Sequence, residues 1–115
     1  MKQTPQVSTS PAALRRVENG RLVYYRAAAD AAFWDEHWAA EGGGGLTDAA
    51  AAAHLRPFRD VFARHLPRGG RILEAGCGPG LIVRGLRLLG YDCEGVEWAP
   101  ETVTRTLQVW PDLPV

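Results

Sequence analysis

The sequence predicts an α/β protein: a doubly wound parallel sheet, cut short after about two strands and preceded by helices. Three observations carry this expectation. Two short runs, Arg71 to Ala75 and Asp92 to Glu97, have strand character. A helical pattern lies between them, from Pro79 to Leu89, and another follows from Pro100 to Val109. The turn out of the first run holds three glycines at alternate positions, Gly76, Gly78 and Gly80. Strand–helix alternation at this spacing implies parallel strands joined by right-handed crossovers.

Residues 1–11 are polar and contain prolines, which predicts a mobile arm running to about residue 20. Within it, Ala12 to Glu18 suits one or two helical turns. Asn19-Gly20 reads as a turn, because both residue types tolerate positive φ. Leu22 to Tyr25 is β-prone. From Arg26 the pattern turns helical, with Ala27, Ala31, Trp34 and Trp38 on one face and Asp30, Asp35, Glu36 and Glu41 on the wet side. Gly42 to Gly45 ends that helix as a flexible tether of about 11 Å. Residues 21–45 thus form an aromatic-rich helical segment with a glycine linker.

Residues 46–115 read as the N-terminal part of a larger domain. Thr47 is the expected N-cap of a helical stretch reaching Leu66. Leu55, Phe58, Phe62 and Leu66 would face a core, and Pro57 should kink or divide the stretch. Pro67-Arg68-Gly69-Gly70 is a turn. In the next helix Pro79 belongs near the first turn. Ile82, Leu86 and Leu89 form its apolar stripe, and Gly90 is a left-handed stop. Pro111 to Val115 reads as the approach to a third strand.

Composition bounds the class. The chain has 115 residues, 46% hydrophobic and 23% charged, with 13 basic and 13 acidic groups. That is ordinary for one small globular domain. Residues 1–68 carry nine basic and seven acidic groups, and residues 69–115 carry four and six. Neither half has the basic excess that selects nucleic acid. No apolar run approaches the roughly 20 residues that cross a bilayer, and Met1-Lys2-Gln3-Thr4-Pro5 has no secretory apolar core. Cys77 and Cys93 form no CxxC pair and are read as reduced, so the expected location is cytoplasmic. His37, His54 and His65 have no ligand spacing between them, and no metal site is expected. Arg84 and Arg87 read as a solvated helix face.

The chemistry concentrates at Glu74-Ala75-Gly76-Cys77-Gly78-Pro79-Gly80. Glycine lets the chain turn sharply and lets a ligand approach bare backbone. Free N–H groups at a helix N-terminus attract electron-rich atoms. Glu97 lies 21 residues beyond Gly76, a spacing that suits hydrogen bonds to the hydroxyls of an unphosphorylated ribose. A dinucleotide fingerprint would place its third glycine at position 81, where this chain has Leu81. A carboxylate at Glu74 also sits unfavourably near a pyrophosphate. It suits a ligand bearing an ammonium and a sulfonium.

These residues resemble the first cofactor-binding motif of class I S-adenosylmethionine-dependent methyltransferases, over about residues 70–115. The resemblance implies a Rossmann-like domain and S-adenosylmethionine as cofactor. It implies that Glu74, Gly76, Gly78 and Gly80 surround the methionine portion and that Cys77 lines the loop mainly through its backbone. Glu97 would hold the ribose hydroxyls, and Trp98 would stack on adenine. In many such enzymes a helix before the sheet covers the cofactor pocket. The aromatic segment is similar in position, with Tyr25 the expected contact and Trp34 and Trp38 expected to dock the helix on the core. The implied partner is a small-molecule methyl acceptor. Acceptor-binding residues and any catalytic base are expected in a part of the domain beyond these residues. The rest of that domain, or a partner chain, would complete the sheet. Two alternatives stay open: a nicotinamide-dependent oxidoreductase domain, and a non-catalytic module using the loop only structurally.

Overall fold

The computed structural model describes residues 14–25, 29–41 and 45–115, with the backbone alone at residues 14–16, 24 and 25. These residues form a mixed α/β structure with two small sheets, one antiparallel and one parallel.

The antiparallel sheet is a hairpin of β1 (Leu14–Glu18) and β2 (Arg21–Tyr25), with Leu14 opposite Tyr25 and Glu18 opposite Arg21. Asn19 and Gly20 take φ of 51° and 74°, the paired positive values that join twisted strands through a two-residue loop. The helical turns expected before Glu18 are therefore replaced by a strand over Leu14–Glu18. One or two isolated helical turns are marginal, and the tight turn folds this run back onto Leu22 and Val23. Residues 14–20, placed with the N-terminal arm on the sequence, are the first half of this hairpin and its turn.

Helix α1 spans Ala31–Glu41. Asp30 caps it, its carboxylate accepting from Phe33 N at 2.9 Å. Asp35, expected on the wet face, is instead buried at 9% exposure. Thr47 caps α2 (Asp48–Leu55) through Ala50 N at 3.0 Å. Pro57 divides the stretch as expected: one 3₁₀ turn, Arg56–Phe58, separates α2 from α3 (Arg59–His65). The tighter turn rotates the helical face, so Leu55 is buried while Phe58 is 47% exposed and stacks on Phe62.

Strands β3 (Arg71–Ala75) and β4 (Asp92–Val96) pair in parallel, from Arg71 beside Asp92 to Ala75 beside Val96. Helix α4 (Leu81–Leu88) joins them, beginning only after Gly80 rather than at Pro79. Gly90, at φ 88°, terminates it. Its buried face is Val83 and Leu86, with Ile82 partly buried; Leu89 is 40% exposed. The reason is the crossing with α2, which comes so near that a β-carbon on Gly85 would stand 3.1 Å from the Ala51 carbonyl oxygen. Arg84 also ties these helices, donating to both Asp48 carboxylate oxygens at 2.7 and 3.0 Å. It is thus an interhelical link rather than a solvated face.

Helix α5 (Pro100–Val109) follows β4. The core gathers Leu55, Val83, Leu86, Tyr91, Cys93, Trp110 and Leu113. Beyond α5, Gly95 N donates to the Pro114 carbonyl at 2.8 Å. Residues 111–115 therefore come alongside β4, without forming a third strand among the described residues. No helix among the described residues is long and apolar enough to cross a membrane.

Candidate functional site

Because β3 and β4 are parallel, their C-terminal ends, Ala75 and Val96, lie side by side. The chain leaving β3 curls through the glycine turn, and the chain leaving β4 delivers Glu97 and Trp98. Gly76, Gly78 and Gly80 all have positive φ, at 70°, 54° and 77°. Three left-handed residues in five bend the turn back over the end of β4. Four of its amides are engaged there rather than free. Gly76 N and Cys77 N both donate to the Val96 carbonyl at 2.8 and 3.0 Å, and Gly80 N donates to the Cys77 carbonyl at 3.0 Å. Gly78 N donates to Glu97 Oε2 at 2.8 Å.

Glu97 is the centre of the arrangement. Its Oε1 accepts from Trp98 N at 2.8 Å and from Ala99 N at 3.1 Å. Three amides thus aim one carboxylate, which has about four acceptor positions. As placed, it has room for one further donor, at Oε2. Trp98 stands 62% exposed. With Gly76, Val96 and Glu97 it lines a shallow depression of about 320 Å³. A β-carbon on Gly76 would meet nothing within 4 Å among the described residues, which leave approach to the backbone open there.

The other expected residues are not brought to this depression. At Gly78 the space a side chain would need is filled by the Trp38 indole, whose atoms would lie 2.7 Å from a β-carbon. At Gly80 it is filled by Leu113, at 3.0 Å. Cys77 turns its side chain into the core, and its backbone N–H is engaged by Val96. Burial, together with the charges of Glu74 and Glu97, pushes its thiol up to about 11. Glu74 is half-buried and lines a separate cleft of about 310 Å³ with Phe58, Phe62, Ile82 and other apolar side chains. Its Oε2 is buried without a hydrogen-bond partner among the described residues. Desolvation raises its carboxyl above the ordinary range. Tyr25 ends β2, and its side chain lies outside the described ones.

Two residues take roles at the site that the sequence pattern did not assign to them. Trp38 covers the glycine turn from behind. Asp35, three residues earlier on α1, accepts from Thr102 N at 2.8 Å, Thr102 Oγ1 at 2.7 Å and Glu101 N at 3.4 Å. Burial pushes its carboxyl up, but the hydrogen bonds from Thr102 and Glu101 and the charge of Arg105 outweigh this and hold it below the usual range. One signal was present. Helix α5 starts at Pro100 after Ala99, which has no side-chain acceptor, so its first amides need a cap from elsewhere.

His37 sits among Phe33, Trp34 and Trp38, with ring centroids 4.8 to 6.4 Å away. No group of three or more His, Cys, Asp or Glu among the described residues is placed to hold a metal ion. Comparison with known proteins finds no match to this chain among family models, curated proteins or solved structures.

Proposed function

We propose that this chain is the cofactor-binding portion of an S-adenosylmethionine-dependent methyltransferase with a small-molecule acceptor, and that β3 and β4 begin a Rossmann-like sheet. The observation that carries the reading is the pinned Glu97 carboxylate. It stands at the C-terminal end of a parallel strand, beside the open backbone of Gly76 and the exposed face of Trp98. Ligands of doubly wound sheets bind beyond the carboxyl ends of the strands.

The residues fit the nucleoside end of this cofactor. Glu97 Oε2 would accept one ribose hydroxyl, Trp98 offers a flat apolar face to adenine, and Gly76 allows close approach. Glu74, two residues before the turn, keeps a buried oxygen without a partner among the described residues that suits an ammonium, although it lines the separate cleft rather than the depression beside Trp98. When bound, the cofactor supplies an electrophilic methyl group on a sulfonium. The chain's part is to bind and orient it. The amides at Gly76, Cys77, Gly78 and Gly80 are already engaged. Those four amides are therefore closed to a pyrophosphate, and Leu81 stands where a dinucleotide fingerprint has its third glycine, which disfavours a nicotinamide dinucleotide.

Leu73 and Val96 are 58% and 52% exposed. Parallel strands are ordinarily covered on both faces, so further sheet and cover from the parent protein or a partner belong to the reading. Calorimetry with S-adenosylhomocysteine on the full-length protein tests it. Binding is expected, with Glu97→Ala losing about 1–3 kcal/mol, the worth of a hydrogen bond to a charged group. Unchanged affinity in that variant removes the ribose role. NADH binding without S-adenosylhomocysteine binding reverses the assignment.

A further inference from the structure

We propose that α1 is the positioning element for Glu97, with Asp35 and Trp38 each holding one of the two groups between which the carboxylate is pinned. The consequence for ligand rests on the function proposed above; the positioning itself does not.

The N-terminus of α5 presents four amide donors: Trp98, Ala99, Glu101 and Thr102. Pro100 has none. Two carboxylates divide them. Glu97 Oε1 takes Trp98 and Ala99, and Asp35 takes Glu101 and Thr102. The division leaves Glu97 Oε2 directed at Gly78 N, 2.8 Å away. With Asp35 gone, the amides of Glu101 and Thr102 stand without acceptors at the positive end of a helix. Such donors attract a carboxylate, and Glu97 is drawn toward them and off Gly78.

Trp38 acts on the other partner. It lies one helical turn from Asp35, so one face of α1 makes both contacts. Its indole fills the space behind Gly78, which prevents the turn from lifting away and keeps Gly78 N aimed at Glu97. Arg105 fastens the same helix, donating to the Asp35 carbonyl at 3.2 Å. The direction of the one open acceptor position on Glu97 is therefore set by a helix far upstream in the chain. Asp35 and Trp38 are positioning residues, since neither lines the depression beside Trp98.

The test measures amide hydrogen exchange on the full chain, at Gly78, Glu101 and Thr102, in the parent and in Asp35→Asn, Trp38→Leu and Glu97→Gln. Asp35→Asn keeps one acceptor oxygen, and Trp38→Leu leaves Asp35 intact, so the two perturb α1 independently. Each is expected to speed exchange at Gly78 at least tenfold, as Glu97→Gln does directly. Each should also weaken S-adenosylhomocysteine and reduce the preference for adenosine over 2′-deoxyadenosine at least threefold. If Asp35→Asn speeds exchange only at Glu101 and Thr102, Asp35 merely caps α5 and the proposal is wrong. Unaltered Gly78 exchange in Trp38→Leu overturns it equally. Should the parent protein bind neither nucleoside, the proposed function fails while the exchange measurement still decides the positioning.

Discussion

Gly95 and Cys77 lie so close that a β-carbon on Gly95 would stand 2.6 Å from the Cys77 sulfur. It would also meet Val83 Cγ2 at 2.9 Å. Strand β4 thus has no room for a side chain where the glycine turn and α4 pack over it. Gly95→Ala overpacks this point and is expected to destabilise the fold by about 1–3 kcal/mol. Urea unfolding checks this. Adding Cys77→Ala to Gly95→Ala removes the closest clash, so the double variant should recover part of the loss. Equal stability of the single variant and the parent would show that the contact yields freely.

The same packing makes both cysteines chemically quiet. Cys77 and Cys93 are buried, and each thiol is pushed up to about 11, chiefly by desolvation and then by the charge of Glu74. At pH 8 only about one thiol in a thousand would be ionised, and the thiolate is the reactive form. Native protein should therefore resist iodoacetamide for hours, and both residues should react rapidly in denaturant. Fast labelling of Cys77 in the native state would place the glycine turn in an open form.

Asp35 should leave a signature in the pH dependence of stability. Its carboxyl is held below the ordinary range in the folded chain. A depressed folded value means that the unfolded state binds the proton more tightly. The stabilisation from Asp35 is therefore present above about pH 4, the unfolded value. It is lost as pH falls through the lower folded value. Asp35→Ala should lower the thermal midpoint by several degrees at neutral pH, and this gap should close in acid. A gap that stays constant to pH 2 would mean that the carboxylate charge contributes nothing.

Much of the parallel unit was legible because its signals are local. Gly76, Gly78, Gly80 and Gly90 permit the positive φ that their turns use, Thr47 is a cap by type, and Pro57 and Pro100 punctuate helices unaided. The turn at Asn19-Gly20 was readable for the same reason, but the strand before it was not. Leu14–Glu18 is a strand only because Arg21–Tyr25 is opposite. Asp35 was misread because a charged residue on a helix has no local mark of burial. Its partners lie in α5, and only the fold brings them together. The engaged amides of the glycine turn were invisible likewise, since their acceptors sit on Val96 and Glu97. Loop conformation is encoded locally, while donor satisfaction is a tertiary property.

Glu74 gives the sharpest test of whether a residue is kept for stability or for binding. Its carboxyl is half-buried among apolar side chains, one oxygen lacks a partner among the described residues, and desolvation raises it above the ordinary range. The folded state then binds its proton more tightly than the unfolded state does. The fold is fully stable with respect to this group below about pH 4 and loses stability as pH rises through the elevated folded value. Glu74→Gln removes the charge and keeps the shape. It should raise the thermal midpoint by a few degrees at pH 7 and leave it nearly unchanged at pH 3. If Glu74 receives the ammonium of the proposed cofactor, the same substitution weakens S-adenosylhomocysteine while stabilising the protein, the opposition expected of a strained binding residue. A variant that is stabler and binds equally well would strip Glu74 of its proposed role. Lower stability at pH 7 would show instead that the carboxylate has a partner in solution.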